Sequence, residues 1–107
     1  MSVPYLAKDK YNHAIQTLAP GTNQNVAIGA ASAAITNILD RATTVIRVVA
    51  TANCFINIGT GTPTATTANT FIPAFTPEYF RVEAATGIRV AVIQQAGSGV
   101  LYVTEMD

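Results

Sequence analysis

Tryptophan is absent from this sequence, cysteine and histidine occur once each, and only six basic and six acidic side chains are spread over its 107 residues. Each scarcity excludes something. A lone Cys54 cannot close an internal disulfide, so no cross-linked scaffold stands in for a core. One histidine and one cysteine do not make a metal site, which takes several such ligands or clustered carboxylates. With zero net charge and scattered Lys and Arg, the chain carries no electrostatic footprint for nucleic acid. Long apolar runs are missing as well. Thr, Asn or Arg interrupts each one, well short of the roughly 18 residues needed to span a bilayer. The opening Met1-Ser2-Val3-Pro4-Tyr5 lacks the basic-then-apolar order of a signal peptide. The expectation is a soluble chain made inside the cell, with neither nucleic acid nor membrane as partner and with no cofactor.

What is present points to strands. Half the residues are apolar, which excludes disorder of the whole chain, and the length suits one modest core. Ile and Val together number 20, Thr 15 and Leu four, so a third of the chain is β-branched and suited to a pleated surface. The 18 alanines favour helix by propensity, but most stand among Thr, Val, Gly and Asn rather than in a helical period. All-β is the reading that composition and pattern share.

Along the chain, residues 1–13 show no period and read as an arm; residues 14–107 read as the folded domain. Residues 13–18 form a plausible first strand, closed by the turn signal Ala19-Pro20-Gly21. Residues 25–29 and 34–39 suit two more, with a short helix over 30–39 as the competing reading. Residues 44–51 alternate Ile46, Val48 and Ala50 against Val45, Arg47 and Val49. After Ala52-Asn53, Cys54, Ile56 and Ile58 share a face, and the two runs read as a hairpin. Residues 60–70, rich in Thr, Gly and Pro, form a loop, and Phe71-Ile72 a short strand. Residues 78–83 set Phe80 and Val82 against Tyr79, Arg81 and Glu83. Residues 88–94 set Ile88, Val90 and Val92 against Arg89, Ala91 and Ile93. The turn Gly97-Ser98-Gly99 then leads into residues 100–105 and a second apparent hairpin. About eight short strands at regular spacing predict an antiparallel β-sandwich or jelly-roll-like barrel. Val48, Ile56, Phe80, Val82, Val90, Val92, Leu101 and Val103 are its expected core.

Catalytic groupings are scarce. His13 has no Ser or Cys at a motif spacing, and a dyad with Cys54 would require the arm to fold onto a residue expected to point inward. Cys54 itself reads as a small core hydrophobe. Glu78 and Glu83 fall on opposite faces of one strand and cannot share acid and base roles. Asp40-Arg41 reads as a turn. Gly59-Thr60-Gly61 superficially suggests a phosphate loop, but neither Gly-Lys-Ser/Thr nor a helix follows it. Phe80-Arg81 is the sole adjacent aromatic–basic pair, too little for a single-strand-binding platform. No enzyme is expected. With so little charge, outward faces of Ala, Thr, Asn and Tyr suit a surface occupied by neighbours more than one facing water.

The segment Gly61-Thr62-Pro63-Thr64-Ala65-Thr66, then Ile72-Pro73-Ala74 and Pro77-Glu78-Tyr79-Phe80-Arg81-Val82, resembles a pattern of small virion proteins of tailed bacteriophages. So does its continuation through Ala91-Val92-Ile93-Gln94 and Leu101-Tyr102-Val103-Thr104-Glu105-Met106. It covers residues 45–106 and consists of turns and strand cores. The resemblance implies a β-sandwich component of the particle. The reading that follows is a non-enzymatic capsid decoration or cement protein, a homo-oligomer bound to the major capsid protein or another virion protein. It would be assembled in the host cytoplasm and located in the virion. A tail or fibre-base protein is the alternative within that class, and a carbohydrate-binding β-sandwich module the alternative outside it, for which exposed aromatics would be the mark. Val3, Tyr5, Leu6 and Tyr11 in the arm and Thr62, Thr64 and Thr66 in the loop are the expected partner contacts. Whether the arm anchors to a neighbour or packs along its own domain, the residues leave open.

Overall fold

The computed structural model describes residues 19–83 and 86–106 in full and, for Ala7–Lys8 and Ala14–Ile15, the backbone pairing alone. Those two short segments, β1 (Ala7–Lys8) and β2 (Ala14–Ile15), pair only with each other. The rest of the expected arm and of the expected strand over 13–18 lies outside the described residues. So do His13, Val3, Tyr5, Leu6 and Tyr11.

Eight strands build the domain: β3 (Pro20–Ile28), β4 (Ala33–Ala34), β5 (Val45–Ala50), β6 (Cys54–Thr60), β7 (Thr70–Ile72), β8 (Glu78–Arg81), β9 (Ile88–Gln94) and β10 (Gly99–Met106). They form two four-stranded antiparallel sheets, ordered β3-β10-β5-β8 and β4-β9-β6-β7. The outermost strands in sequence pair first, β3 with β10, then β4 with β9, β5 with β8 and β6 with β7, alternating between sheets. This nested order is that of a jelly roll, and the expected all-β sandwich is the fold observed. Alternation places one face of each strand inward, so Ile46, Val48, Ala50, Ile56, Val90, Val92, Leu101 and Val103 are buried between the sheets with Ile28, Ile35, Leu39, Ile72 and Val82. Phe80 is only half-buried and packs at the margin of this core.

Four sequence expectations are corrected. Ala19-Pro20-Gly21 is no turn, because Pro20 opens β3. That strand is the edge of its sheet, where a residue without an N–H breaks no ladder, and the register slips beside it between Thr104 and Met106. The strand expected over 34–39 stops at Ala34, and no helix replaces it. The chain bends, Ile35 N and Leu39 N still donate to Val90 O and Ile88 O, and the Gln24 side chain both donates to and accepts from the Asn37 backbone. Neither expected hairpin exists, since β5 and β6, and likewise β9 and β10, lie in opposite sheets. Both connections are arches, and they meet. Thr51 N donates to Val100 O, Thr51 Oγ1 accepts from Val100 N, and Asn53 O accepts from Gln95 N. Gly99 fits this junction because a Cβ there would lie 2.7 Å from Thr51 Oγ1 and 2.8 Å from the Ala52 Cβ.

Candidate interaction surfaces

A sandwich presents two outer faces pointing away from each other, and here they differ in chemistry. On the β4-β9-β6-β7 sheet, Ile93, Phe55 and Phe71 stand in one cross-strand row. The two rings lie 5.4 Å apart at 59°, a favourable tilted contact, and Phe71 is 43% exposed. The next row, Ala34, Ala91 and Asn57, is overlaid by residues 61–69. Asn57 Nδ2 donates to Thr64 O, Ala65 N donates to Ser32 Oγ, and Ala65 is buried, which accounts for the burial of the outward-facing Ala91. Arg89 Nη1 holds Gly61 O at 2.7 Å while its Nε reaches Thr36 O, and Asn69 closes a turn on Thr66. The loop expected from composition is thus fixed to its own sheet. Of the expected contacts, Thr62, Thr64 and Thr66 are all exposed on it, Thr64 held by its carbonyl to Asn57 in the row next to the phenylalanines.

The β3-β10-β5-β8 sheet has the more polar face. One row reads Asn23, Thr104, Arg47, Tyr79, and the next Asn25, Tyr102, Val49. A cleft of about 310 Å³ opens among Asn23, Gln24, Arg47, Val49, Tyr102 and Thr104. Thr104 Oγ1 donates to Asn23 Oδ1 at 2.7 Å. The outward orientation of Arg47, Tyr79 and Tyr102 was legible from alternation. Their adjacency was not, since it depends on β5 lying between β10 and β8.

A second concavity, of about 480 Å³, lies where β7 ends opposite Ile56 while β6 runs on; Ile58, Asn69, Thr70 and Phe80 line it. It explains why Phe80 is only half-buried.

The candidate chemical residues are dispersed. Cys54 is fully buried, and burial pushes its thiol up to about 11. Glu78 is half-buried and Glu83 exposed, five positions apart as the sequence indicates. Asp40-Arg41 opens a turn in which Ala42 N donates to Asp40 Oδ1. Glu105, which the sequence reading passed over, is buried at the end of β10; its Oε1 accepts from Asp40 N at 2.8 Å and Thr43 Oγ1 at 2.5 Å. Its signal was available, because Leu101 and Val103 set an inward parity that Glu105 shares. Among the described residues no group of three His, Cys, Asp or Glu side chains converges as metal ligands would. No protein-family model, curated protein or solved structure matches the chain.

Proposed function

We propose that this chain is a non-enzymatic structural component of a tailed-phage virion, a decoration protein that bridges neighbouring shell subunits as a homo-oligomer. The observation that carries the reading is the apolar row of Ile93, Phe55 and Phe71 on the face that also bears Thr62, Thr64 and Thr66, where the Arg89 guanidinium is engaged by the Thr36 and Gly61 carbonyls. A cross-strand apolar row with an exposed aromatic ring is a surface that gains by being covered. The loop carrying the threonines is held to the sheet, so little conformational freedom is lost when a partner covers it. The resemblance of residues 45–106 to small virion proteins supports the same reading. The jelly-roll order, shared with many viral capsid domains, supports it by analogy of fold.

The mechanism is thermodynamic. A protein that binds only the assembled, expanded shell stabilises that state in proportion to its occupancy. The test is to mix the full-length protein with undecorated capsids and image them. Added density at subunit boundaries, lost with Phe71→Asp while the isolated variant stays folded, is the expected result. Capsids that take up no wild-type protein would overturn the assignment.

A further inference from the structure

The opposite face carries its own chemistry. Tyr79 is 54% and Tyr102 46% exposed, on the outer side of the same sheet. Tyr79 pairs with Arg47 across β5, and Tyr102 pairs with Val49. Their Cα atoms are therefore separated by two strand spacings and one two-residue step, about 12 Å. That is too far to grip one small ring, and it suits two units of a chain. Tyr102 and Arg47 line the cleft of about 310 Å³ together with Asn23, Gln24, Val49 and Thr104, and Tyr79 stands beside Arg47 on the next strand, outside its lining. Arg89 uses its guanidinium on the Thr36 and Gly61 carbonyls, whereas no described residue accepts from Arg47.

We propose that this face binds an acidic oligosaccharide, its carboxylate on Arg47 and its sugar rings against Tyr79 and Tyr102. A planar guanidinium that meets no acceptor among the described residues matches a carboxylate with two parallel hydrogen bonds. Amide and hydroxyl side chains offer both donors and acceptors to sugar hydroxyls. Tyrosine supplies an apolar ring face with a polar tip for the C–H side of a sugar. Neither row contains a carboxylate, so the site complements negative charge: Asn23, Thr104, Arg47 and Tyr79 form one, Asn25, Tyr102 and Val49 the other. Two cations on this face, Arg47 in the cleft and the exposed Arg81 one row away, are too few for a nucleic-acid backbone. A lipid tail would leave Asn23, Gln24, Arg47 and Thr104 in the lining without polar partners.

The inference is independent of the virion reading, because its test uses the isolated protein. The full-length chain, displayed multivalently on beads, is applied to an array of acidic and neutral glycans. Trigalacturonate is then titrated into the ¹⁵N-labelled protein, with maltotriose as the neutral control. Expected are signals on carboxylated glycans and amide shifts at Arg47, Val49, Tyr102 and Thr104 with trigalacturonate only. Arg47→Ala should weaken binding about tenfold or more, with Arg47→Lys recovering part of the loss. Tyr102→Phe should bind and Tyr102→Ala should not, both melting like the wild type because the side chain is exposed. Absence of signal on every acidic glycan would overturn the proposal, and equal shifts with maltotriose would remove the carboxylate from it. Loss of capsid binding by Arg47→Ala without any glycan signal would also overturn it, and would assign the face to a protein partner.

Discussion

Cys54 and Phe75 show how a single side chain reports on its surroundings. Cys54 sits on the inward face of β6, and burial disfavours its thiolate, lifting the thiol from its ordinary 9.0 to about 11. Between those values the unfolded chain releases a proton that the native state retains. Stability is therefore fully present below about pH 9 and falls as pH rises towards 11, by roughly 2–3 kcal/mol in all. Urea unfolding across that range should show the decline in the wild type and a shallower one in Cys54→Ala, whose cost near neutrality is about 1 kcal/mol. Identical slopes for the two proteins, or rapid labelling of the native thiol, would contradict a sealed site. Phe75 is the reverse case: 73% exposed, it holds a φ of 58°, where a bulky side chain is strained. Its N–H bonds Ala50 O at 2.7 Å, which keeps the backbone in place. Glycine there should be neutral or stabilising by up to about 1 kcal/mol, the steric relief partly offset by unfolded-state entropy. If the ring serves attachment, Phe75→Gly will combine an unchanged or raised Tm with lower capsid occupancy, and strain at an exposed aromatic will have a functional reason. A lowered Tm would show that the ring supports the fold instead.

At the scale of elements, inward and outward faces were readable from sequence and neighbours were not. Ile46, Val48 and Ala50, like Val90 and Val92, were placed correctly because side-chain direction follows from a two-residue period. The partner of each strand follows from no local rule in a jelly roll. Here β6 and β7 are the only consecutive sandwich strands that pair, so short connections such as Ala52-Asn53 and Gly97-Ser98 read as hairpins when they are arches. The same non-local pairing hid the assembly of Arg47, Tyr79 and Tyr102. Proline was misread because its meaning depends on position in the sheet: at an interior strand Pro20 would have ended the ladder, whereas at the edge it begins one. Glu105 shows what a buried carboxylate contributes here. It ties the 40–43 turn, which carries the chain into β5, to the end of β10. Glu105→Ala leaves Asp40 N–H and the Thr43 hydroxyl without their acceptor, and should cost about 2–4 kcal/mol in urea unfolding. Glu105→Gln retains an amide oxygen at that point and should cost about 1 kcal/mol. Equal losses for the two variants would indicate that charge, not acceptor geometry, holds the turn.

For the whole molecule, the two outer faces make opposite demands on the solvent, and this separates their functions experimentally. The row Ile93, Phe55 and Phe71 and the threonines 62, 64 and 66 contain no ionised group, so attachment through them rests on burial of apolar surface and neutral hydrogen bonds. Such contacts have almost nothing for salt to screen, and kosmotropic salts strengthen them. The Arg47 cleft depends on one charge pair with a ligand in a shallow, partly wetted site. Raising ionic strength to about 1 M shortens the screening length to about 3 Å and should weaken it substantially. Full-length protein pre-bound to capsids should therefore remain in place when washed in 1 M NaCl and bind more tightly in sodium sulfate. The same wash should strip trigalacturonate from the isolated protein. Measuring both on one preparation makes each the control for the other. Release from capsids at moderate salt would mean that charged groups outside these rows carry the attachment, and the phenylalanine face would lose its assigned role. Retention of the saccharide at 1 M would remove Arg47 from the centre of the other site.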